Sequence, residues 1–135
     1  EATMSRSFEL KPFKSGAARM ARDAGVPLLP TTLWGAHRVW TKDAPKHRGR
    51  SKIPIYIEVG EPIFIPKGGD VEAANEQLRA AMQAQLDRQQ AAYPTLTGDD
   101  LRYLPARLGG TAPTPEGAHE RDTHDMSRTQ DEFNS

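Results

Sequence analysis

The amino-acid sequence predicts an α/β fold: a mixed sheet flanked by helices, followed by a long polar tail. Two observations carry the folded part. Residues 53–59 alternate strictly between apolar and other side chains, and residues 71–93 read as a capped amphipathic helix. A third sets its limit, because residues 95–135 are dense in Gly, Pro, Thr, Asp and Arg with few apolar side chains. The chain is therefore expected to divide at 1–94 and 95–135, the second part lacking the apolar area to order itself.

The elements follow in order. From Phe13, the apolar residues Ala17, Met20, Ala21 and Ala24 recur three and four apart, as on one face of a helix. Pro12 suits a first helical position and Gly25 the position just past the end. Residues 26–34, Val-Pro-Leu-Leu-Pro-Thr-Thr-Leu-Trp, are rich in strand formers. Pro27 and Pro30 cannot donate to a ladder, which predicts an edge, a bulge or an irregular entry. Ile53, Ile55, Ile57 and Val59 then alternate with Pro54, Tyr56, Glu58 and Gly60, the period of a half-buried strand. Gly60-Glu61-Pro62 reads as a turn or kink and Ile63-Phe64-Ile65 as a further short strand. Asp70 is a good N-cap for the last helix, whose apolar stripe is Val71, Ala74, Leu78, Met82 and Leu86 and which Pro94 stops. Two or three strands and two helices make a thin sandwich, so strands preceding Glu1 are expected to complete it.

Bulk composition excludes some chemistry. The 18 basic and 18 acidic residues cancel, and there is no cysteine for a disulfide, a thiolate metal site or a redox pair. No apolar run approaches the roughly 20 residues that span a bilayer. None of His37, His47, His119 and His124 has an aspartate five positions on, and no nucleophile elbow or phosphate-cradling glycine loop is present. The cluster at residues 119–125 lies in the predicted tail and is not expected to hold a metal. No catalytic residue is assigned.

Two segments could bind rather than react. Residues 1–7 bring hydroxyls and a cation to a helix start, beside Lys11-Pro12. These are the elements of an anion site, although a capped helix with a solvated lead-in would look the same. Residues 38–52 carry Arg38, Lys42, Lys46, Arg48, Arg50 and Lys52 against Asp43, with Trp34 and Trp40 close by. That composition fits an anionic bilayer surface or a solvated loop with its tryptophans turned inward; nucleic acid is not the expected partner.

Glu1-Ala2-Thr3-Met4-Ser5 resembles the Glu-Gly-Thr-Arg-Ser block of the 1-acyl-glycerol-3-phosphate acyltransferase family, and residues 8–17 continue that pattern. Val26-Pro27-Leu28-Leu29-Pro30 is similar to the family's Val-Pro-apolar-apolar-Pro block, in the same order with a helix between. The wording of residues 5–20 is similar to actinobacterial members. The resemblance implies the C-terminal part of a glycerolipid acyltransferase domain whose N-terminal half is missing. It implies acyl transfer from an acyl thioester, acyl-CoA or acyl-carrier protein, to a lysophospholipid, with no resident cofactor. The family's general base stands in a His-x-x-x-x-Asp motif that this chain lacks, so the chain alone is expected to be inactive.

The same resemblance implies that Glu1, Thr3 and Ser5 shape an acceptor-phosphate pocket and that Val26, Pro27 and Pro30 line the wall behind it. Ala2 replaces the family's glycine and Met4 its arginine, which removes a bidentate phosphate partner. In an extended segment Arg6 shares a face with Met4. Arg6, helped by Lys11 or Lys14, is therefore the expected substitute. The implied location is the cytoplasmic face of the membrane, peripheral or anchored by upstream residues. The alternative is a catalytically dead relative that binds anionic lipid.

Overall fold

The computed structural model describes residues 5–47 and 49–133, with the side chains of residue 126 and of residues 128–133 left out of the account. Its elements run α1 (Gly16–Ala24), β1 (Thr31–Trp34), β2 (Tyr56–Val59), α2 (Val71–Ala92) and α3 (Pro115–Phe133). Short 3-10 turns lie at Ala36–Arg38, Gly98–Tyr103 and Ala106–Leu108. Residues 12–94 form one compact unit; residues 5–11 belong with 95–133 in a second.

In the first unit, α1 starts at Gly16, so Pro12 lies outside it rather than at its first position. The helix ends as predicted. Gly25 takes φ 66°, its N–H reaching the Arg22 carbonyl at 3.2 Å and that of Val26 the Ala21 carbonyl at 3.0 Å. This 6→1 and 5→2 pair is a Schellman motif, for which a residue without Cβ is suited. The buried face is Ala18 and Ala21, while Ala17, Met20 and Ala24 are exposed. The small residues win because Ala18 packs into the cluster formed by Ile65, Val71 and Ala74, with Leu28 against it.

β1 and β2 pair antiparallel, with Thr31 opposite Val59 and Trp34 opposite Tyr56. Among the described residues the sheet has these two strands, so it is antiparallel and not mixed. Gly60 N–H continues the ladder to Pro30 O at 2.8 Å, and Leu28 then bridges Ile63 through bonds of 2.9 and 2.8 Å. Pairing shifts by one residue between these points, so Glu61-Pro62 holds the extra residue of a bulge. That is the predicted kink. It also reduces the expected third strand to a single bridge, although Ile63 and Ile65 do point inward with Phe64 outward.

The covered sheet face reverses the apolar pattern. α2 packs on β1 and β2 over Thr32, Trp34, Tyr56 and Glu58, whereas Leu33 is exposed and Ile57 and Val59 are 65% and 60% exposed. Alternation reports two faces; which one a helix covers depends on that helix. α2 begins where Asp70 accepts from Glu72 N at 2.9 Å and Ala73 N at 3.2 Å, and ends one residue before Tyr93. Val71, Ala74, Leu78 and Leu86 are buried as predicted, but Met82 is only half-buried and Asn75, Gln85 and Gln89 join them.

Residues 95–133, predicted as a tail without fixed structure, carry two 3-10 turns and α3. Few apolar residues suffice because local backbone bonds order the connection: Gly110 N to Pro105 O at 3.1 Å, Thr111 N to Leu101 O at 2.9 Å and Ala112 N to Leu104 O at 3.3 Å. Tyr103, Pro105, Ala112 and Ala118 are buried over this frame. Thr114 caps α3, accepting from Gly117 N at 3.3 Å, and Pro115 takes the first helical position.

Candidate functional site

The predicted site residues divide between the two units. Ser5, Arg6 and Lys11 belong to the second, Lys14, Val26, Pro27 and Pro30 to the first. Glu1 and Thr3, with Ala2 and Met4, lie outside the described residues.

In the second unit, residues 5–11 meet one face of α3. Ala118, Asp122 and Asp125 stand four and three apart, so they share that face. Asp122 divides its carboxylate between two cations: Arg6 Nε donates to Oδ1 at 3.0 Å and Lys11 Nζ to Oδ2 at 2.8 Å. Arg6 Nη2 also donates to Asp125. The Arg6 and Asp122 side chains are only 9% and 8% exposed, while Asp125 stands at the rim. Two residues predicted to bind one anion, Arg6 and Lys11, are thus brought onto one anionic group. Such bonds are shorter and about twice as strong as neutral ones.

The supporting backbone is unusual. Ser5 and Ser7 hydroxyls lie 2.9 Å apart, Ser7 is buried, and Phe8 holds φ 56°, the left-handed region that a bulky residue rarely adopts. Strain of this kind persists only where the surroundings over-determine it. The sequence nominated Ser5, Arg6 and Lys11 but not Asp122 and Asp125 as their partners. The available signal was Thr114-Pro115-Glu116, a helix start that would have placed the two aspartates on one face.

In the first unit the Val-Pro block is structural at its end and open at its start. Pro30 is fully buried; its carbonyl accepts from Gly60 N at 2.8 Å and from Gln85 Nε2 at 3.2 Å. Thr32 donates its hydroxyl to Gln85 Oε1 at 3.4 Å, and Gln89 Nε2 donates to Thr32 O at 3.2 Å. Two glutamines of α2 therefore fasten the strand backbone. Pro27 is half-buried, and Val26 and Lys14 are exposed.

The two tryptophans part company. Trp34 is buried against His37, ring centroids 4.5 Å apart, and meets Tyr93 edge-on at 6.3 Å. Trp40 is 56% exposed with Lys46 Nζ 4.8 Å from its ring centroid. Arg38 lies over the Tyr93 ring and donates to its hydroxyl at 3.3 Å. Among the described residues, no group of three His, Asp or Glu side chains is placed to hold a metal, and no helix is long and apolar enough to cross a membrane.

Arg6 and Lys11 are thus ion-paired to α3 from a bent lead-in. Comparison with known proteins adds a class. The chain is 35% identical over 63 residues to 1-acyl-sn-glycerol-3-phosphate acyltransferase of Limnanthes douglasii, a match covering 47% of this chain. It spans 21% of that protein's length. This similarity supports a relationship to acyltransferases. No protein-family model and no solved structure matches the chain.

Proposed function

We propose that this chain supplies the acceptor-phosphate and groove part of an acyltransferase. That enzyme would move a fatty acyl group from an acyl thioester, acyl-CoA or acyl-carrier protein, to 1-acyl-glycerol-3-phosphate, forming phosphatidate. The observation that carries the reading is the convergence of Arg6 Nε and Lys11 Nζ on the two oxygens of one buried carboxylate. A phosphate monoester offers the same acceptors at higher charge, and arginine binds it side-on while lysine acts as a point charge. The partial similarity to the plant acyltransferase supports the class. Ser5, beside Ser7, lies at the same lead-in and is assigned to this pocket together with Glu1 and Thr3. Val26 and Pro27 are assigned to the wall of the acceptor groove, while Pro30, fully buried, fastens the chain beneath it through its carbonyl.

The reaction needs a base for the acceptor hydroxyl, and the family motif that supplies it is not in this sequence. The chain alone is therefore inactive: incubation with acyl-CoA and lysophosphatidate releases no free thiol above background. A lipid acceptor puts this proposed work at a membrane surface, with the cytoplasmic face as the proposed side. There Trp40 and the cations of residues 38–52 are proposed to meet anionic headgroups, and flotation with phosphatidylglycerol vesicles that weakens with salt is the expected behaviour.

Ala2 and Met4, where the resembling family has glycine and arginine, favour a second reading: a relative that binds anionic lipid without turnover. Sequencing upstream of Glu1 separates the two. An in-frame His-x-x-x-x-Asp supports the enzyme, and its absence supports the binding relative.

A further inference from the structure

We propose that α3 is a self-ligand of the phosphate site: the carboxylates of Asp122 and Asp125 occupy Arg6 and Lys11, and a phosphate monoester enters by displacing them. This rests on the reading of Arg6 and Lys11 as phosphate-binding residues.

Geometry is the first argument. Nε and Nη2 form the edge of a guanidinium that grips an oxyanion side-on, and both donors of that edge on Arg6 go to carboxylates of α3. Lys11 Nζ is drawn to the same Asp122. A phosphate cannot take the pair while the helix is seated.

Charge is the second. Two cations face two carboxylates, and with Arg6 and Asp122 both largely buried, removing either partner would strand a charge out of water. The site is therefore emptied of α3 only by an anion of matching charge. A phosphate monoester near neutral pH carries −1.5 to −2, close to the charge of the carboxylate pair, and three strong acceptor oxygens. A phosphodiester headgroup, with a single negative charge, exchanges poorly.

The hold on α3 is the third. Among its described side chains only Ala118 and Asp122 are buried. Among these described side chains, one methyl group and an ion-pair network seat the helix. Such an element can leave when its ionic partner is replaced, and a ligand shifts it by its differential affinity for the two states.

The test is calorimetric titration of the full chain with sn-glycerol 3-phosphate, alongside the Asp122→Asn/Asp125→Asn double variant and Arg6→Ala. Self-ligation predicts that the double variant binds at least about tenfold more tightly than the parent, and that Arg6→Ala abolishes binding. Hydrogen exchange of the α3 amides in the parent provides a readout that does not need the double variant to fold. Ligand should speed exchange there by about tenfold or more. Equal affinity of parent and double variant, or slower exchange in α3 with ligand, overturns self-ligation while leaving the phosphate reading intact. No binding by any variant overturns both.

Discussion

Gln85 is the least expected residue in the core, a glutamine fully buried between helix and strand. Its amide donates to Pro30 O at 3.2 Å and accepts from the Thr32 hydroxyl at 3.4 Å. It also sits over Gly60, where an added Cβ would come within 2.7 Å of Nε2. Gln85→Ala removes two hydrogen bonds and leaves a cavity. Each bond contributes a net ~0.5–1.5 kcal/mol, and both are long, so ~1–2 kcal/mol is lost there. The truncation adds ~2 kcal/mol, at the low end for large-to-small core changes. A total of ~3–4 kcal/mol is a large share of a small unit's stability. Gln85→Leu keeps the volume but strands the buried Thr32 hydroxyl, at a cost of ~1–3 kcal/mol. Adding Thr32→Val removes that orphan and should recover to within ~1 kcal/mol of the parent.

Both tryptophans lie within residues 12–94, so urea unfolding followed by tryptophan fluorescence reports this unit selectively. With a slope of ~1 kcal/mol/M, the Gln85→Ala midpoint falls by about 3–4 M. The reasoning fails if Gln85→Leu is as stable as the parent, or if Thr32→Val worsens it instead of rescuing it.

Three further outcomes follow from the same structure. Asp70→Ala removes the cap of α2 and lowers stability by ~1 kcal/mol, read as a lower urea midpoint with reduced helical circular dichroism. Gly35 holds φ 98° with room for no Cβ, since one would come 2.2 Å from Pro54 O; Gly35→Ala should cost more than ~2 kcal/mol in the same unfolding assay. Ile57→Ser, at an alternating apolar position that the structure leaves 65% exposed, should change stability by less than ~0.5 kcal/mol and raise solubility. A loss of ~2 kcal/mol or more at Ile57 would show that this face is covered.

What could be read from the sequence was local. Asp70, Gly25 and Pro94 mark helix ends through their own backbone chemistry, and each acts as predicted. Alternation at residues 53–59 located a strand, which forms only over Tyr56–Val59, but it could not say that α2 would cover the Tyr56 and Glu58 side. That choice depends on a helix that begins only at Val71, beyond the strand and its kink. The α2 stripe was legible where it was apolar; Gln85 and Gln89 were not part of it, because their role is to satisfy strand carbonyls visible only in three dimensions. Arg6 and Lys11 could be nominated through the family resemblance, as substitutes for the arginine that Met4 replaces. Their carboxylate partner could not, because Asp122 lies 116 residues from Arg6 in a segment whose composition argued against any fixed structure.

The central claim is that Arg6 and Lys11 bind the phosphate of a lysophospholipid acceptor. Titrating short-chain lysophosphatidate against the parent chain and Arg6→Ala, with the matching monoacylglycerol as control, tests it most directly. The account predicts saturable binding by the parent, at least about tenfold weaker binding by Arg6→Ala, and none of the phosphate-free control. Equal binding of lysophosphatidate by parent and Arg6→Ala would contradict it.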